Sequence, residues 1–179
     1  MFLADVIDST IKKIKSNLAN ILTLVNVSFG GAAIIACTQG QLHVSLFLIF
    51  IAALADRFDG MVARKLQIES EIGKQLDSMS DIISFGVAPA LLIYQGILVD
   101  FGYPGIFFTI LYMICGAYRL ARFNISDSTG YFTGLPITAA GCVLTISYLA
   151  YPYIPTYSFI FIIFILSIAM IANFKLKKV

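Results

Sequence analysis

Residues 56–81 read DRFDGMVARKLQIESEIGKQLDSMSD and separate two strongly apolar runs, residues 42–55 and 82–98. A membrane-spanning helix needs roughly 20 mostly apolar residues. We therefore predict that one spanning helix covers residues 42–65 and that the next covers residues 72–98. The connection between them is so short that the two helices must be antiparallel neighbours, with the charged stretch at their shared end.

The four aspartates of this stretch are predicted to face one another across the helix pair. Asp56 and Asp59 are three residues apart, and Asp77 and Asp81 are four apart, so each pair shares one helix face. Each acid deep in a bilayer costs about 2.5–3.5 kcal/mol on insertion scales. Divalent cations would offset this cost well, and ligands that are all oxygen favour Mg²⁺, Mn²⁺ or Ca²⁺ over Zn²⁺. Two ions about 4 Å apart would suit phosphoryl chemistry.

Residues beside these acids fit a site for a phosphate-bearing ligand. Gly60 and Gly73 would leave room for a bulky group against the backbone, and Arg64 is well placed to hold a phosphate. On the residues alone, two other interpretations stay open. The acids could form a proton or Na⁺ relay in an ion-coupled transporter, or they could belong to a purely structural network of charges.

The whole chain has the composition of a membrane protein. Of its 179 residues 59% are hydrophobic and only 12% are charged, with a mean hydropathy of +0.91. An ordinary soluble domain is nearer a quarter charged. We predict an all-α membrane protein with one domain over 1–179, in which a short amphipathic interfacial helix at 3–17 precedes a six-helix bundle at 19–174. The six spans are placed at 19–38, 42–65, 72–98, 104–123, 135–151 and 155–174, and Pro89 is expected to kink the third.

The basic residues predict the orientation in the membrane. Lys and Arg occur in the N-terminal arm, in the second-to-third and fourth-to-fifth connections, and in the tail; the connections at 39–41, 99–103 and 152–154 have none. By the positive-inside rule both termini and the acids face the cytoplasm. The first 20 residues lack the apolar core of a cleavable secretory signal, so the first span is expected to direct insertion. Basic residues this few do not indicate nucleic-acid binding.

The pattern D-x2-D-G-x2-A-R-x8-G-x3-D-x3-D runs through residues 56–81 without a departure. It resembles the signature of the CDP-alcohol phosphotransferases, a family of integral membrane enzymes. Within that family the chain is most similar to the phosphatidylserine synthases. This closer similarity is seen in NILTLVN at 20–26, LDSMSDIISFGVAPA at 76–90, RLARFN at 119–124 and GLP at 134–136.

The resemblance implies a reaction and a set of roles. A phosphatidyl group would pass from CDP-diacylglycerol, or from CDP-archaeol, to the hydroxyl of L-serine, and CMP would leave. Asp56, Asp59, Asp77 and Asp81 would hold two divalent ions, Mg²⁺ or Mn²⁺, and Asp81 would also be the general base. The residues that would contact the CDP-lipid are Asn20, Thr23, Asp56, Gly60, Ala63, Arg64, Gly73, Lys74 and Asp77. The resemblance also implies a homodimer in contact with membrane lipids.

Serine needs a partner for its carboxylate, and three polar residues near the end of the fourth span are candidates. They are Arg119, Arg122 and Asn124. Alternatively, the arginines could only anchor the span by reaching to the interface. Glycerol phosphate or inositol phosphate is the rival acceptor within the same family, and an ion-coupled transporter is the rival outside it.

Overall fold

The computed structural model describes residues 2–66, 71–125, 131–173 and 175–177, and it describes side chains at 20–58, 60–61, 71–125 and 134–173. The described chain is almost entirely helical, as predicted. Its elements are, in order, α1 (Phe2–Thr38), α2 (Leu42–Leu66), α3 (Glu71–Asp81), a π-helix (Ile82–Val87), α4 (Ala88–Gly96), a 3₁₀ turn (Leu98–Phe101), α5 (Tyr103–Ile125), β1 (Tyr131–Thr133), α6 (Ile137–Leu149), α7 (Ser158–Ile171) and β2 (Lys175–Lys177).

Three helical stretches in the described part of the chain are long and apolar enough to cross a bilayer. They are Asn20–Thr38, Glu71–Gly96 and Tyr103–Ile125. The chain is thus an integral membrane protein, but the predicted count of six spans is not confirmed. Helices α6 and α7 are apolar but have only 13 and 14 residues. At 1.5 Å per residue each is about 20 Å long, against a hydrocarbon core of about 30 Å.

The N-terminal segment is not a separate helix. A single helix, α1, runs from Phe2 to Thr38 and includes both residues 3–17 and the first span. The predicted interfacial helix at 3–17 is therefore not confirmed. The physical reason is local, because residues 3–29 contain neither glycine nor proline, the residues that most readily end a helix.

The third span contains a π-helix immediately before Pro89. Proline has no N–H, so it cannot make the α-helical hydrogen bond to the carbonyl of Phe85, four residues earlier. The hydroxyl of the fully buried Tyr112 on α5 donates to that carbonyl at 3.1 Å. Helix α6 packs against the same turn at Gly141, where an added Cβ would lie 2.7 Å from the Phe85 oxygen. The π-helix is thus held from two neighbouring helices.

A short antiparallel pairing joins two segments that the sequence did not predict as strands. In it, Tyr131 lies opposite Lys177, Phe132 opposite Leu176 and Thr133 opposite Lys175. Three residues are too few to show the period-two alternation by which a strand is predicted. The pairing brings the connection before α6 to the segment after α7.

Residues of α5 and of the turn at 134–136 hold the C-terminal end of α7. Arg122 on α5 donates to the Ile171 carbonyl at 3.2 Å and to Asn173 Oδ1 at 2.8 Å. The backbone N–H of Leu135 donates to the Ala169 carbonyl at 2.9 Å. Gly134 has a φ of +76°, and carbonyls of this helix end leave no room there for a Cβ. These contacts fix α5, the 134–136 turn and α7 to one another.

The main core lies among α4, α5, α6 and α7 and is built of large apolar side chains. Fully buried members include Phe85, Tyr112, Leu144, Phe159 and Ile163. A smaller apolar cluster joins α1, α2 and α4. Helix α2, which carries Asp56, and the π-helix and α4, which continue from α3, are therefore packed against these apolar clusters.

Candidate functional site

Three of the four predicted aspartates come together in the structure. Asp56 on α2 meets Asp77 and Asp81 on α3, and each offers a carboxylate oxygen within 4.8 Å of the others. Asp81 is buried, with 8% of its surface exposed, and its Oδ1 has no hydrogen-bond partner among the described residues. Asp59 lies on α2, but its side chain is outside the described part of the chain.

This arrangement suits a divalent cation. Three carboxylates this close repel one another strongly unless a cation or protons compensate their charge. Hard oxygen donors are the ligands that Mg²⁺, Mn²⁺ and Ca²⁺ prefer. The unpartnered oxygen of Asp81 points the same way, because a buried carboxylate oxygen normally has a hydrogen bond or a metal. The residues present therefore fit the kind of ion expected from the sequence, although the fit does not identify the ion.

Helix α1 holds the acid-bearing helix in place through backbone contacts. Ser80 donates to the Thr23 carbonyl at 3.2 Å, and Ser84 donates to the Asn26 carbonyl at 3.3 Å. A Cβ at Gly30 would collide with the Ser84 side chain, so α1 and the π-helix approach closely there. The two serines lie on either side of Asp81 along the chain, so its backbone is fixed on both flanks.

Asn26 is the functional candidate that the sequence interpretation missed. Its side chain is fully buried, and its Nδ2 donates to Asp56 Oδ1 at 3.3 Å. Its Oδ1 has no partner among the described residues. A sequence signal existed, because a polar amide inside an otherwise apolar span is costly unless it has a purpose.

Arg119, on α5, lies near the cluster. It is buried, with 6% of its surface exposed, and its guanidinium interacts electrostatically with Asp81. The guanidinium carbon lies 5.5 Å from the centre of the Phe123 ring, which is within the range of a cation–π contact. Its Nε has no hydrogen-bond partner in the described structure. A donor group is thus available next to Asp81.

The other two candidates for the acceptor site make hydrogen bonds to neighbouring helices. Arg122 donates to the end of α7, as described above. Asn124 and Ser78 form a reciprocal pair, in which Asn124 Nδ2 donates to Ser78 Oγ at 3.0 Å. Both residues therefore join helices in this structure, whereas Arg119 adjoins the carboxylates.

The remaining predicted residues lie on the same helices as the acids or on α1. Thr23 is buried, Asn20, Gly60 and Gly73 are half-buried, and Lys74 is exposed. Ala63 and Arg64 belong to α2, and their side chains lie outside the described part of the chain. The structure thus places this set on the middle of α1, the C-terminal part of α2 and the start of α3.

Comparison with known proteins identifies the relatives of this chain. Residues 16–175 match the CDP-alcohol phosphatidyltransferase family. An archaetidylserine synthase of Methanothermobacter thermautotrophicus is 41% identical over 174 residues, 94% of this chain and 73% of that protein. A CDP-diacylglycerol–serine O-phosphatidyltransferase of Bacillus subtilis is 40% identical over 135 residues, 75% of each chain. One of that name from Methanocaldococcus jannaschii is 39% identical over 71% of this chain and 58% of its own.

Proposed function

This chain belongs to the CDP-alcohol phosphatidyltransferase family of enzymes, and from that premise we propose that its alcohol substrate is L-serine. The lipid substrate would be a CDP-diacylglycerol or CDP-archaeol, and the products would be the phosphatidylserine-type lipid and CMP. The names of the similar proteins support this choice of acceptor. The observation that carries it is a buried guanidinium close enough to a buried carboxylate to interact electrostatically with it, Arg119 with Asp81.

We assign the proton transfer to Asp81. The hydroxyl proton of serine passes to the Asp81 carboxylate as the serine oxygen forms a bond to the lipid-side phosphorus. The bond from that phosphorus to the CMP oxygen breaks, so CMP leaves with the electron pair. Two divalent ions held by Asp56, Asp59, Asp77 and Asp81, Mg²⁺ or Mn²⁺, would neutralise the diphosphate and the leaving group.

We assign the serine carboxylate to Arg119. A guanidinium binds a carboxylate through two parallel hydrogen bonds, and the unpartnered Nε is one suitable donor. Because Arg119 adjoins Asp81, a carboxylate bound there would bring the serine hydroxyl toward the base. The CDP-lipid would lie against the middle of α1, with Asn20 and Thr23, and against the adjoining parts of α2 and α3, with Gly60 and Gly73; Ala63, Arg64 and Lys74 are nearby along the chain.

We further propose that the carboxylate cluster and both termini face the cytoplasm. The basic residues of the N-terminal arm, of the second-to-third and fourth-to-fifth connections and of the tail support this orientation. The β1–β2 pairing is consistent with it, because the pairing requires the connection before α6 and the tail to lie on one side of the membrane. A single domain over 1–179 and a homodimer stay predictions. Gly30 packs against Ser84 within the chain, whereas a Cβ added at Gly31, also on α1, would meet nothing within 4 Å.

The test is CMP release from CDP-diacylglycerol by the purified protein in detergent. We expect release that requires both L-serine and Mg²⁺ or Mn²⁺. Asp81→Asn should abolish it while binding of the CDP-lipid survives, and the matched control is Asp100→Asn, at an exposed acid outside the site. Metal-dependent release with glycerol phosphate or inositol phosphate, but not serine, would overturn the choice of acceptor. Serine-dependent release by Asp81→Asn at the full rate would overturn the assignment of the base.

A further inference from the structure

Three buried polar atoms in or near the carboxylate cluster have no hydrogen-bond partner among the described residues. They are Asn26 Oδ1, Asp81 Oδ1 and Arg119 Nε, and only one other such side-chain atom, on Ser45, occurs in the described part of the chain. Buried polar groups are nearly always hydrogen-bonded, because an unpaired one loses its bonds to water without replacement. Their concentration at one place indicates that a ligand supplies the missing partners.

One hydrogen bond, the carboxylate cluster and one electrostatic interaction relate the residues that carry these three atoms. Asn26 donates to Asp56. The Asp56 and Asp81 carboxylates belong to one cluster, and Asp81 adjoins Arg119. The acids therefore interact both with an amide on α1 and with a guanidinium on α5.

The chemistry of Asp56 fixes which end of the Asn26 amide is unpartnered. An ionised carboxylate can only accept hydrogen bonds, so the amide must present its NH₂ group to Asp56. The carbonyl oxygen of the same amide is then an acceptor beside the carboxylates. Since the Asn26 side chain is fully buried, bulk water does not reach this oxygen in the structure.

The set of unpartnered groups is complementary to a zwitterionic amino acid. Arg119 supplies a cationic donor for a carboxylate. Beside Asp56, Asn26 Oδ1 supplies an uncharged acceptor, which can take a hydrogen bond from an ammonium. The hydroxyl of serine would then meet Asp81 between them. We propose that Asn26 Oδ1 accepts a hydrogen bond from the ammonium of the serine acceptor and thereby selects amino alcohols that carry this group.

This inference rests on the proposed function, and a comparison of acceptors separates the two. L-Serine is compared with 3-hydroxypropionate, which lacks the ammonium, and with ethanolamine, which lacks the carboxylate. For the wild type we expect kcat/KM to favour serine over both. Asn26→Ala should reduce the preference over 3-hydroxypropionate by about 10- to 100-fold, the value of one hydrogen bond to a charged group. Its preference over ethanolamine should not change.

Two further variants control for folding and for a purely structural role. Asn26→Asp keeps an acceptor oxygen at the same position, so it should retain the preference for serine over 3-hydroxypropionate even if turnover falls. Ser28→Ala, on the exposed side of the same helix, should leave every ratio unchanged.

The outcomes distinguish the possibilities. If Asn26→Ala lowers kcat/KM equally for serine and 3-hydroxypropionate, Asn26 serves only to position Asp56 and the inference is wrong. If Asn26→Asp loses the preference as fully as Asn26→Ala, acceptance by Oδ1 is again refuted. If the wild type releases CMP without regard to serine, the proposed function itself fails and the inference fails with it.

Discussion

Gly141 provides a quantitative test of the contact between α6 and the π-helix that follows Asp81. A Cβ on residue 141 would lie 2.7, 2.8 and 2.9 Å from three atoms of Phe85, namely the carbonyl oxygen, the Cβ and the Cα. Ordinary van der Waals contacts of a Cβ begin near 3.4 Å. Gly141→Ala therefore forces the two elements about 0.7 Å apart, the difference between 3.4 and 2.7 Å. Overpacking of this kind costs about 1–3 kcal/mol.

Gly31→Ala is the matched control, since it makes the same substitution inside α1, where nothing lies within 4 Å of the added Cβ. Both variants gain roughly 0.5–1 kcal/mol from replacing a helical glycine. The difference between them thus isolates the clash. We expect Gly141→Ala to unfold at a lower temperature than Gly31→Ala, by about 2–4 °C for each kcal/mol.

The assay is thermal unfolding in detergent, followed with a thiol-reactive dye. Cys37 and Cys115 are buried free thiols and become reactive only when the helices separate. Turnover should also fall in Gly141→Ala, because an error of about 1 Å in a catalytic group costs on the order of 100-fold. If the two variants match in both melting temperature and rate, α6 does not pack on the Phe85 turn as described.

Four further substitutions test other contacts of the site. Tyr112→Phe removes the donor to the Phe85 carbonyl and should lower the free energy of unfolding by about 1–3 kcal/mol, as seen by thermal unfolding; an unchanged melting temperature would contradict this support. Arg122→Ala should also destabilise the protein but leave the KM for serine unchanged, whereas Arg119→Ala should raise that KM; the reverse pattern in acceptor kinetics would exchange their roles. Ser84→Ala removes a hydrogen bond to α1 and should cost about 1 kcal/mol, with an effect on kcat larger than on KM if the contact positions the base.

The spacing of the aspartates was enough to predict their meeting. Asp77 and Asp81 are one helical turn apart, and the short connection keeps the helix of Asp56 next to the helix that carries them. The structure places their carboxylates together. That prediction needed only the period of the helix and the short length of the connection, and it is confirmed for Asp56, Asp77 and Asp81.

Other features depend on contacts that periodicity does not encode. Pro89 predicts a kink in the third span, but it does not predict the contacts of the π-helix with Tyr112 and Gly141, which belong to helices far along the chain. In the sequence Asn26 is one polar residue in an apolar run, and its place in the site is seen only in the structure, where its side chain donates to Asp56. The six-span prediction counted apolar runs, but α6 and α7 end after 13 and 14 residues.

The attachment of α5 to the end of α7 has a consequence for the order of events during synthesis. Arg122 donates to the carbonyl of Ile171, which is added 49 residues later. At about 5–20 residues per second, the ribosome needs about 2–10 s to supply that partner. During this interval the aspartates and Arg119 already exist, but the helix that carries Arg119 lacks its attachment to α7. A nascent chain therefore passes through a stage with all described site residues present and their support incomplete, which is a natural stage for recognition by folding or quality-control factors.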